Sequence, residues 1–427
     1  MRPLLILIQF LHVTQLKFVV EGRPSDIVSR GVHKHAGHSL SLKRHRWPEG
    51  SLRLQGTRNI VDNQHMKYVV PVAVGDQILN AEIDTGSSDT WFVQTGCRCY
   101  HTYDNTSNAF VTPVNSSVCN FGPTYTPGND FTLDSDIHQL TCYGAGVGTR
   151  RCVFGSFGFT NVTINGFTAP QQIIGAVNET SNYGMGLPDY SGILGLGFSG
   201  GTMAYNSTTN ASTHYSSLVS TLFNTPEFSS RRSKQFSLAL SRDASNTGYG
   251  GTMTIGGVAS LTEPSVNATS ASFTSAPLQI FPNTSTAEYS WYSIYLDGFE
   301  FGGQMLSLNT STIIDSGYNG LEIPREIATA LNDHWSPPGN VSGTTVFLDC
   351  AAKLDQPFGM TIGGATYYIQ FADLVGQMAN GTCYSLVIAG LPPNGYSIGD
   401  PLLKNTLAVF DWGEMVMSFY PRMYYAS

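Results

Sequence analysis

The sequence predicts an all-β fold with few short helices, and two features of its composition support that prediction. Only 12% of the 427 residues are charged, well below the roughly one quarter that is usual for a soluble domain, so the chain offers little for charged amphipathic helices. The 45 glycines, with abundant serine and threonine, indicate many turns between strands. A chain of this length can bury a large core, and we expect two lobes.

The first 58 residues form a basic leader. The apolar run at 4–13 follows Arg2 and is too short to span a bilayer, so we predict a signal peptide over 1–21 and a propeptide over 22–58. The leader holds ten Lys and Arg but three Asp and Glu, so the rest of the chain carries a net charge of −15. This contrast predicts a propeptide held partly by electrostatics and released in acid, with an unstructured leader as the alternative. The acidic body argues against nucleic-acid binding.

Eleven Asn-x-Ser/Thr sequons indicate a glycosylated protein of the secretory pathway. They lie at Asn105, Asn115, Asn161, Asn178, Asn206, Asn210, Asn267, Asn283, Asn309, Asn340 and Asn380. We therefore expect a secreted, extracellular protein, and the C-terminal residues contain no hydrophobic tail that would indicate a membrane anchor. Seven cysteines fit an oxidising compartment, and their odd number leaves one free or unusually paired.

Hairpins are the first elements after the leader. Residues 66–75 and 78–86 predict two strands that turn at Gly75-Asp76. Residues 153–168 alternate between apolar and polar side chains, with Asn165-Gly166 as the hairpin turn.

The remaining elements follow from turn and helix signals. Residues 199–215, rich in Gly, Asn, Ser and Thr, predict a glycosylated loop, and residues 235–257 predict two strands close to a lobe boundary. We expect short helices at 217–224 and 325–335, the second started by Pro324.

A distant internal repeat organises the chain. "AEIDTGSS" at 81–88 is echoed by "TIIDSGYN" at 312–319. Each copy is followed well downstream by an apolar pair and a glycine, in "SGILGLG" and "YSIGD". The repeat predicts two related lobes, which we place at 59–243 and 244–427.

Each copy places one aspartate in a turn of small residues, Asp84 in the first and Asp315 in the second. Two carboxyl groups held close together cannot easily both ionise, so they share one proton. The ionised group can then take a proton from water while the other protonates a carbonyl oxygen, which hydrolyses an amide without a metal or organic cofactor. The neighbouring residues that would donate hydrogen bonds or allow close approach of the backbone are Thr85, Gly86, Ser87, Ser316 and Gly317.

These motifs resemble those of the pepsin-like aspartic proteases, especially the secreted fungal type. The resemblance covers about 66–421 and rests on "DTGSSDTWFV", "DSG", "GILGLG" and the closing segment 398–421. It implies a bilobal fold with a central active-site cleft, in which Asp84 and Asp315 are catalytic and Ser87 supports Asp84.

The resemblance also implies partners. Substrates would be polypeptides bound in extended form, with apolar residues beside the cleaved bond, and the protein would be a monomeric zymogen inhibited by its own propeptide. "HSLSLKRHR" at 38–46 resembles a propeptide strand, and Lys34 or Lys43 is a candidate to lie against the two aspartates. Lys43-Arg44 is alternatively a processing site.

Two disulfides are implied by the resemblance, Cys350–Cys383 and Cys99–Cys119. A substrate-binding flap is implied as well, with Tyr143-Gly144 at its tip and Trp91 packed beneath it. The interval that follows is several residues longer than usual, so either the flap is extended or Tyr143 is displaced. Cys142 and Cys152 can close this hairpin, which would leave Cys97 unpaired.

The chain departs from the family pattern after the second aspartate. A Thr or Ser usually follows the second Asp-Thr/Ser-Gly, whereas Tyr318 and Asn319 stand here. A phenol cannot take the place of a small hydroxyl unchanged, although Tyr318 remains a candidate to contact substrate. The departures leave a second hypothesis open, in which the protein has little or no activity and works as a secreted binding protein or inhibitor.

Other motifs carry less weight. "GFSGG" at 197–201 matches a serine-hydrolase elbow but precedes no helical pattern. The overlapping Gly-x-Gly-x-x-Gly also lacks a following helix. His33, His35 and His38 lie in the leader, so a metal site there is not predicted. A glycosidase uses two carboxylates as well, but they need not lie in twin turns.

Overall fold

The computed structural model describes residues 38–45, 67–144, 151–187, 189–230, 232–242, 249–280, 288–378, 380–390 and 396–423. All of these belong to one compact unit. Strands dominate and helices are few and short, which confirms the predicted all-β class. The predicted signal peptide and most of the predicted propeptide lie outside the described residues. In the part of the chain that is described, no helix has the length and apolar character needed to cross a membrane.

The strands of the first half are β1 (His38–His45), β2 (Lys67–Val74), β3 (Gln77–Asp84), β4 (Trp91–Asp104), β5 (Ala109–Pro113), β6 (Thr132–Tyr143), β7 (Arg151–Ile164), β8 (Phe167–Ser181), β9 (Gly192–Gly195), β10 (Ala204–Asn206), β11 (Ser212–Thr213) and β12 (Gln235–Leu240). Those of the second half are β13 (Tyr249–Ile255), β14 (Thr274–Pro277), β15 (Ser293–Phe301), β16 (Gln304–Ile314), β17 (Leu321–Ile323), β18 (Trp335–Ser336), β19 (Asn340–Ser342), β20 (Thr345–Leu348), β21 (Lys353–Leu354), β22 (Phe358–Ile362), β23 (Ala365–Ile369), β24 (Val375–Gln377), β25 (Cys383–Ser385), β26 (Val387–Ala389), β27 (Tyr396–Ile398), β28 (Thr406–Asp411) and β29 (Val416–Pro421). The α-helices are α1 (Ser116–Cys119), α2 (Leu218–Phe223), α3 (Pro226–Ser230), α4 (Arg325–Asp333) and α5 (Asp400–Asn405).

One large sheet contains strands from both halves of the chain. Its order is β11-β10-β6-β7-β8-β4-β9-β3-β2-β1-β13-β12-β28-β29-β14, with β5 paired to β4. The leader strand β1 therefore lies between β2 and β13. A second sheet, in the order β23-β22-β15-β16-β27-β17-β26, is built from the second half alone.

The hairpins form where the turn residues predict them. Strands β2 and β3 pair up to Val74 and Gln77, which leaves Gly75-Asp76 as a two-residue turn. At the turn between β7 and β8, Asn165 and Gly166 have φ values of 52° and 84°. These left-handed conformations are those that a tight hairpin turn requires and that Asn and Gly adopt at low cost. Both predictions are confirmed.

The core forms on the inner faces of these strands. Along β2 nearly every side chain is buried, including Val70, Val72 and Val74, because this strand lies in the middle of the large sheet. They join a continuous apolar cluster that extends into the second sheet through residues such as Ile314 and Ile398. The strands that end at the two aspartates are therefore anchored on a common core.

The two predicted helices are also present. Helix α2 lies within the predicted 217–224, and Ser217 caps it by accepting a hydrogen bond from the Ser220 amide. Helix α4 begins directly after Pro324 and buries Ile327 and Leu331. These contacts fit the apolar spacing of its sequence.

The segment 199–215 is more ordered than the loop predicted from its composition. It contains β10 and β11, which pair with each other, and β10 also pairs with β6 through Tyr205 and His138. The Asn206 side chain accepts hydrogen bonds from the Thr208 and Thr209 amides, which closes the connecting turn. The prediction missed this hairpin because polar composition does not distinguish a loop from a short exposed hairpin.

The structure contains three disulfides, Cys99–Cys119, Cys142–Cys152 and Cys350–Cys383, and Cys97 is a free thiol. Of the sequons, seven asparagines are exposed: Asn105, Asn115, Asn161, Asn210, Asn267, Asn340 and Asn380. Asn178 and Asn206 are partly buried. Asn283 lies outside the described residues, and Asn309 belongs to β16.

Candidate active site

Asp84 lies where a buried strand runs into a tight turn. It is the last residue of β3, which pairs in parallel with β9, so that Asp84 lies beside Gly195. Strand β9 is part of the segment "SGILGLG". The carboxyl group of Asp84 is almost fully buried, with 5% of the residue exposed.

Asp315 has the same setting in the second half. It follows β16, which pairs in parallel with β27, and β27 belongs to the segment "YSIGD". In each half the strand of the apolar-Gly segment also pairs antiparallel with the strand that follows the turn, β9 with β4 and β27 with β17. The internal repeat of the sequence is therefore a repeat of local structure.

The two carboxyl groups approach each other across the two glycines of the turns. A Cβ atom added to Gly86 would overlap the carboxyl group of Asp315. A Cβ atom added to Gly317 would lie 2.6 Å from Asp84 Oδ1 and 3.2 Å from Asp315 Oδ1. Only glycine leaves room for both carboxylates at this point, which is the close backbone approach that the sequence predicts.

Four hydrogen bonds join the turns. Thr85 Oγ1 donates to the Ile314 carbonyl (2.7 Å) and accepts from the Ser316 amide (2.9 Å). In the reverse direction, Ser316 Oγ donates to the Ile83 carbonyl (2.9 Å) and accepts from the Thr85 amide (3.1 Å). All these groups are buried, so the bonds are shielded from water and fix the two aspartates relative to each other.

The hydrogen bonds to the two carboxylates differ. Asp84 accepts from the Gly86 amide (2.9 Å) and from Ser87 Oγ (2.5 Å). Asp315 accepts a hydrogen bond from the Gly317 amide (2.8 Å), and no other amide or hydroxyl of the described residues donates to it. Burial, and next the charge of Asp84, raise the pKa of Asp315 well above its usual range. This asymmetry favours a proton on Asp315.

Tyr143 and Trp91 contact each other in the half of the site that holds Asp84. Burial, and next the charges of Asp89 and Asp84, raise the pKa of Tyr143 well above its usual range. Tyr143 ends β6, and its hydroxyl accepts a hydrogen bond of 2.7 Å from Trp91 Nε1. Gly144 follows with a φ of 77°, and residues 145–150 lie outside the described chain. The Cys142–Cys152 disulfide closes the hairpin at this level. The structure therefore brings together the residues that the sequence assigned to a flap.

Tyr318 lies at the second turn, but its hydroxyl does not bond Asp315. The Tyr318 amide donates to the Asp315 carbonyl (3.3 Å), and the Tyr318 carbonyl accepts from the Asp400 amide (2.9 Å). The side chain folds back over Gly320, where an added Cβ atom would lie 3.2 Å from the phenol oxygen.

A buried ion pair next to Asp84 escaped the sequence reasoning. Glu82 Oε1 accepts a hydrogen bond of 2.5 Å from Lys67 Nζ. Lys67 also lies 5.4 Å from the centroid of the Tyr183 ring, and Tyr183 packs against Trp91. Burial raises the pKa of Glu82 to about 7, although Lys67 acts in the opposite direction. The available signal was strand alternation, which puts Glu82 and Asp84 on one face of β3.

The other motifs stay apart from this site. Ser199, the serine of "GFSGG", begins a single 3-10 turn rather than a helix. Among the described residues, no group of three or more His, Cys, Asp or Glu side chains is arranged to hold a metal ion.

A family model described as eukaryotic aspartyl protease matches residues 67–421 of this chain. A protein of Aspergillus fumigatus named as a probable aspartic-type endopeptidase is 30% identical over 382 residues, which cover 85% of this chain and 81% of that protein. Rhizopuspepsin-4 of Rhizopus niveus is 27% identical over 355 residues, which cover 82% of this chain and 76% of the relative.

The fold is also found among solved structures. The crystal structure of an aspartic proteinase from Irpex lacteus superposes with a TM-score of 0.63 at 18% sequence identity. The match covers 91% of this chain and 98% of that one. The predicted bilobal, pepsin-like architecture is thereby confirmed.

Proposed function

The chain belongs to the eukaryotic aspartyl protease family and is an aspartic-type endopeptidase, and we propose that it hydrolyses peptide bonds with a water molecule activated by Asp84 and Asp315. We refer to these two residues as the dyad. The observation that carries the proposal is the pair of matched turns, which are joined by hydrogen bonds and hold the two carboxyl groups against the same glycines.

In the proposed reaction the two aspartates have different roles. Asp84 is ionised and supported by Ser87. It takes a proton from the water molecule while the water oxygen attacks the peptide carbonyl carbon. Asp315, protonated, donates its proton to the carbonyl oxygen, so a tetrahedral diol forms. The diol then returns a proton to Asp315, and Asp84 transfers its proton to the amide nitrogen. The carbon–nitrogen bond breaks, which releases the amine and leaves a carboxylic acid.

The substrate would lie extended across the dyad and under the hairpin that bears Tyr143 and Gly144. The hydrogen bond from Trp91 Nε1 fixes the Tyr143 phenol, which supports a role for this tyrosine in closing over the substrate. Tyr318 borders the second turn and is a further candidate for substrate contact. The catalytic lobes in this proposal span 59–243 and 244–427.

The leader would act as an intramolecular inhibitor. Strand β1 pairs with both β2 and β13, which supports a propeptide held in the large sheet before maturation. The exposed sequons and the three disulfides support secretion into an oxidising medium. The active form would be a monomer that acts on polypeptides.

The proposal is tested by expressing the full chain and lowering the pH. We expect self-processing within the leader and cleavage of a denatured protein at about pH 3 to 4, where the two carboxyl groups share one proton. A statine-type transition-state inhibitor should stop both reactions. A folded, monodisperse protein that cleaves nothing from pH 2 to 7 would support the alternative of a binding protein, which the named relatives do not favour.

A further inference from the structure

The internal repeat makes Ser87 and Tyr318 counterparts. Each is the third residue after its aspartate, in "DTGS" and "DSGY". The amide of the second residue donates to the preceding carboxylate in both turns, at 2.9 Å from Gly86 and 2.8 Å from Gly317. The two turns therefore differ in the contribution of the third side chain.

In the first turn that contribution is a strong donor. Ser87 Oγ lies 2.5 Å from Asp84 Oδ2, so Asp84 receives a hydrogen bond on each oxygen. A donor of this kind stabilises the ionised form of a carboxyl group relative to the protonated form.

The second turn lacks this donor. Tyr318 carries its hydroxyl away over Gly320, and no side-chain hydroxyl in the described part of the chain donates to Asp315. Asp315 is thus supported on one oxygen by a backbone amide.

The surrounding charges do not compensate for the missing donor. Asp84 and Glu82 face Asp315 from β3, and both raise the pKa of Asp315. On the other side, Glu322 and Tyr384 lie near Tyr318, and burial raises the pKa of all three groups. The positive charge of Arg151 acts on Glu82 and on Tyr384, where it lowers the pKa. Of these groups, Asp84 and Glu82 act on Asp315, and both favour its protonated form.

We propose that Tyr318 is a positioning residue that keeps the shared proton on Asp315 to a higher pH than a hydroxyl donor at this position would allow. This inference rests on the proposed function, in which Asp315 is the proton donor. Its consequence is that the range of cleavage extends toward neutral pH. Serine at position 318 would supply the donor that Ser87 supplies in the first turn, and the proton would be lost about one pH unit earlier.

The experiment is a carboxyl-carbon NMR titration of the full chain labelled with 13C-aspartate, with the Asp315 signal assigned by its loss in Asp315→Asn. In Tyr318→Ser we expect the Asp315 midpoint to fall by about one pH unit. In the matched control Tyr318→Phe the midpoint should stay at the wild-type value, because the phenol oxygen makes no bond to Asp315. The alkaline limb of the kcat/KM profile should move with the NMR midpoint.

An unchanged Asp315 midpoint in folded Tyr318→Ser overturns the inference, and so does an equal fall in Tyr318→Phe. If Tyr318→Ser does not fold, Tyr318→Thr provides the second test, since its hydroxyl should likewise lower the Asp315 midpoint by about one pH unit. An unmoved Asp315 midpoint there also overturns the inference. The NMR titration does not depend on turnover. If the Asp315 midpoints behave as expected but no variant cleaves peptides, the inference about Tyr318 stands and only the proposed function is contradicted.

Discussion

Thr85 and Ser316 show how single residues hold the site together. Each hydroxyl bonds to backbone groups of the opposite turn, so loss of one hydroxyl leaves buried partners unsatisfied. We predict that Thr85→Val, which keeps the shape of the side chain, lowers the free energy of unfolding by about 2 to 4 kcal/mol. Urea denaturation of an Asp315→Asn background, which prevents self-digestion, measures this loss.

Thr163→Val is the matched control for that prediction. Thr163 shares an exposed hydrogen bond of 2.8 Å with Thr168 on the surface, where water can replace the lost partner. The control should cost less than about 0.5 kcal/mol. If both variants lose the same free energy of unfolding, the hydrogen bonds between the turns stabilise the fold no more than a surface hydrogen bond does.

The buried Glu82 predicts a specific pH dependence of stability. Its pKa is raised from 4.5 to about 7 in the folded protein, so between these values the folded state retains a proton that the unfolded chain has released. Its contribution to stability is complete below about pH 4.5 and is lost as the pH rises through about 7, a change of about 3 kcal/mol. Glu82→Gln should make the free energy of unfolding less dependent on pH between these two values.

Urea denaturation at pH 4.5 and at pH 7.5, again in the Asp315→Asn background, measures the effect. Glu414→Gln, on the exposed surface, is the control. It should leave the change in the free energy of unfolding between these two pH values as it is in the parent. A parent whose stability rises across this interval, or a Glu82→Gln variant with an unchanged slope, would show that Lys67 compensates fully for the burial of Glu82.

At the level of elements, prediction succeeded where one or two residues determine the backbone. Asn165-Gly166 adopts the left-handed conformations that a tight turn needs, and Pro324 starts α4. The prediction fell short at 199–215, where the short hairpin depends on pairing with β6. Such pairing is a tertiary contact, which local composition does not encode.

The hairpin that bears Tyr143 is cross-linked by Cys142–Cys152. We predict that replacing both cysteines by serine increases local opening, because the reduced hairpin regains conformational freedom. Hydrogen exchange at the amides of Thr141, Tyr143 and Val153 should become at least about tenfold faster, with a smaller effect on exchange in the core strands β2 and β3.

Replacement of Cys350 and Cys383 by serine is the control for the hairpin prediction. That disulfide joins β25 to the segment before β21 in the second half, so its loss should leave exchange at Tyr143 unchanged. If the flap amides exchange equally fast in both variants, the Cys142–Cys152 bond does not constrain the hairpin locally.

At the level of the whole molecule, the sequence repeat predicted the architecture and which two aspartates the fold brings together. The twin turns identify Asp84 and Asp315, because the residues that surround each aspartate are adjacent in the chain. The Lys67–Glu82 pair was not predictable in the same way, since its partners are 15 residues apart and meet only when β2 pairs with β3. The place of β1 between β2 and β13 likewise depends on contacts between distant segments.

The measurement that tests the central claim most directly is kcat/KM at about pH 4 for the wild type, Asp84→Asn, Asp315→Asn and the double variant, with exposed Asp76→Asn as the control. If the dyad works as one unit, each single variant should lose roughly a thousandfold or more, and the double variant should lose little beyond that. Asp76→Asn should retain wild-type activity. Substantial activity in either single dyad variant, or losses that multiply in the double variant, would contradict a shared-proton mechanism.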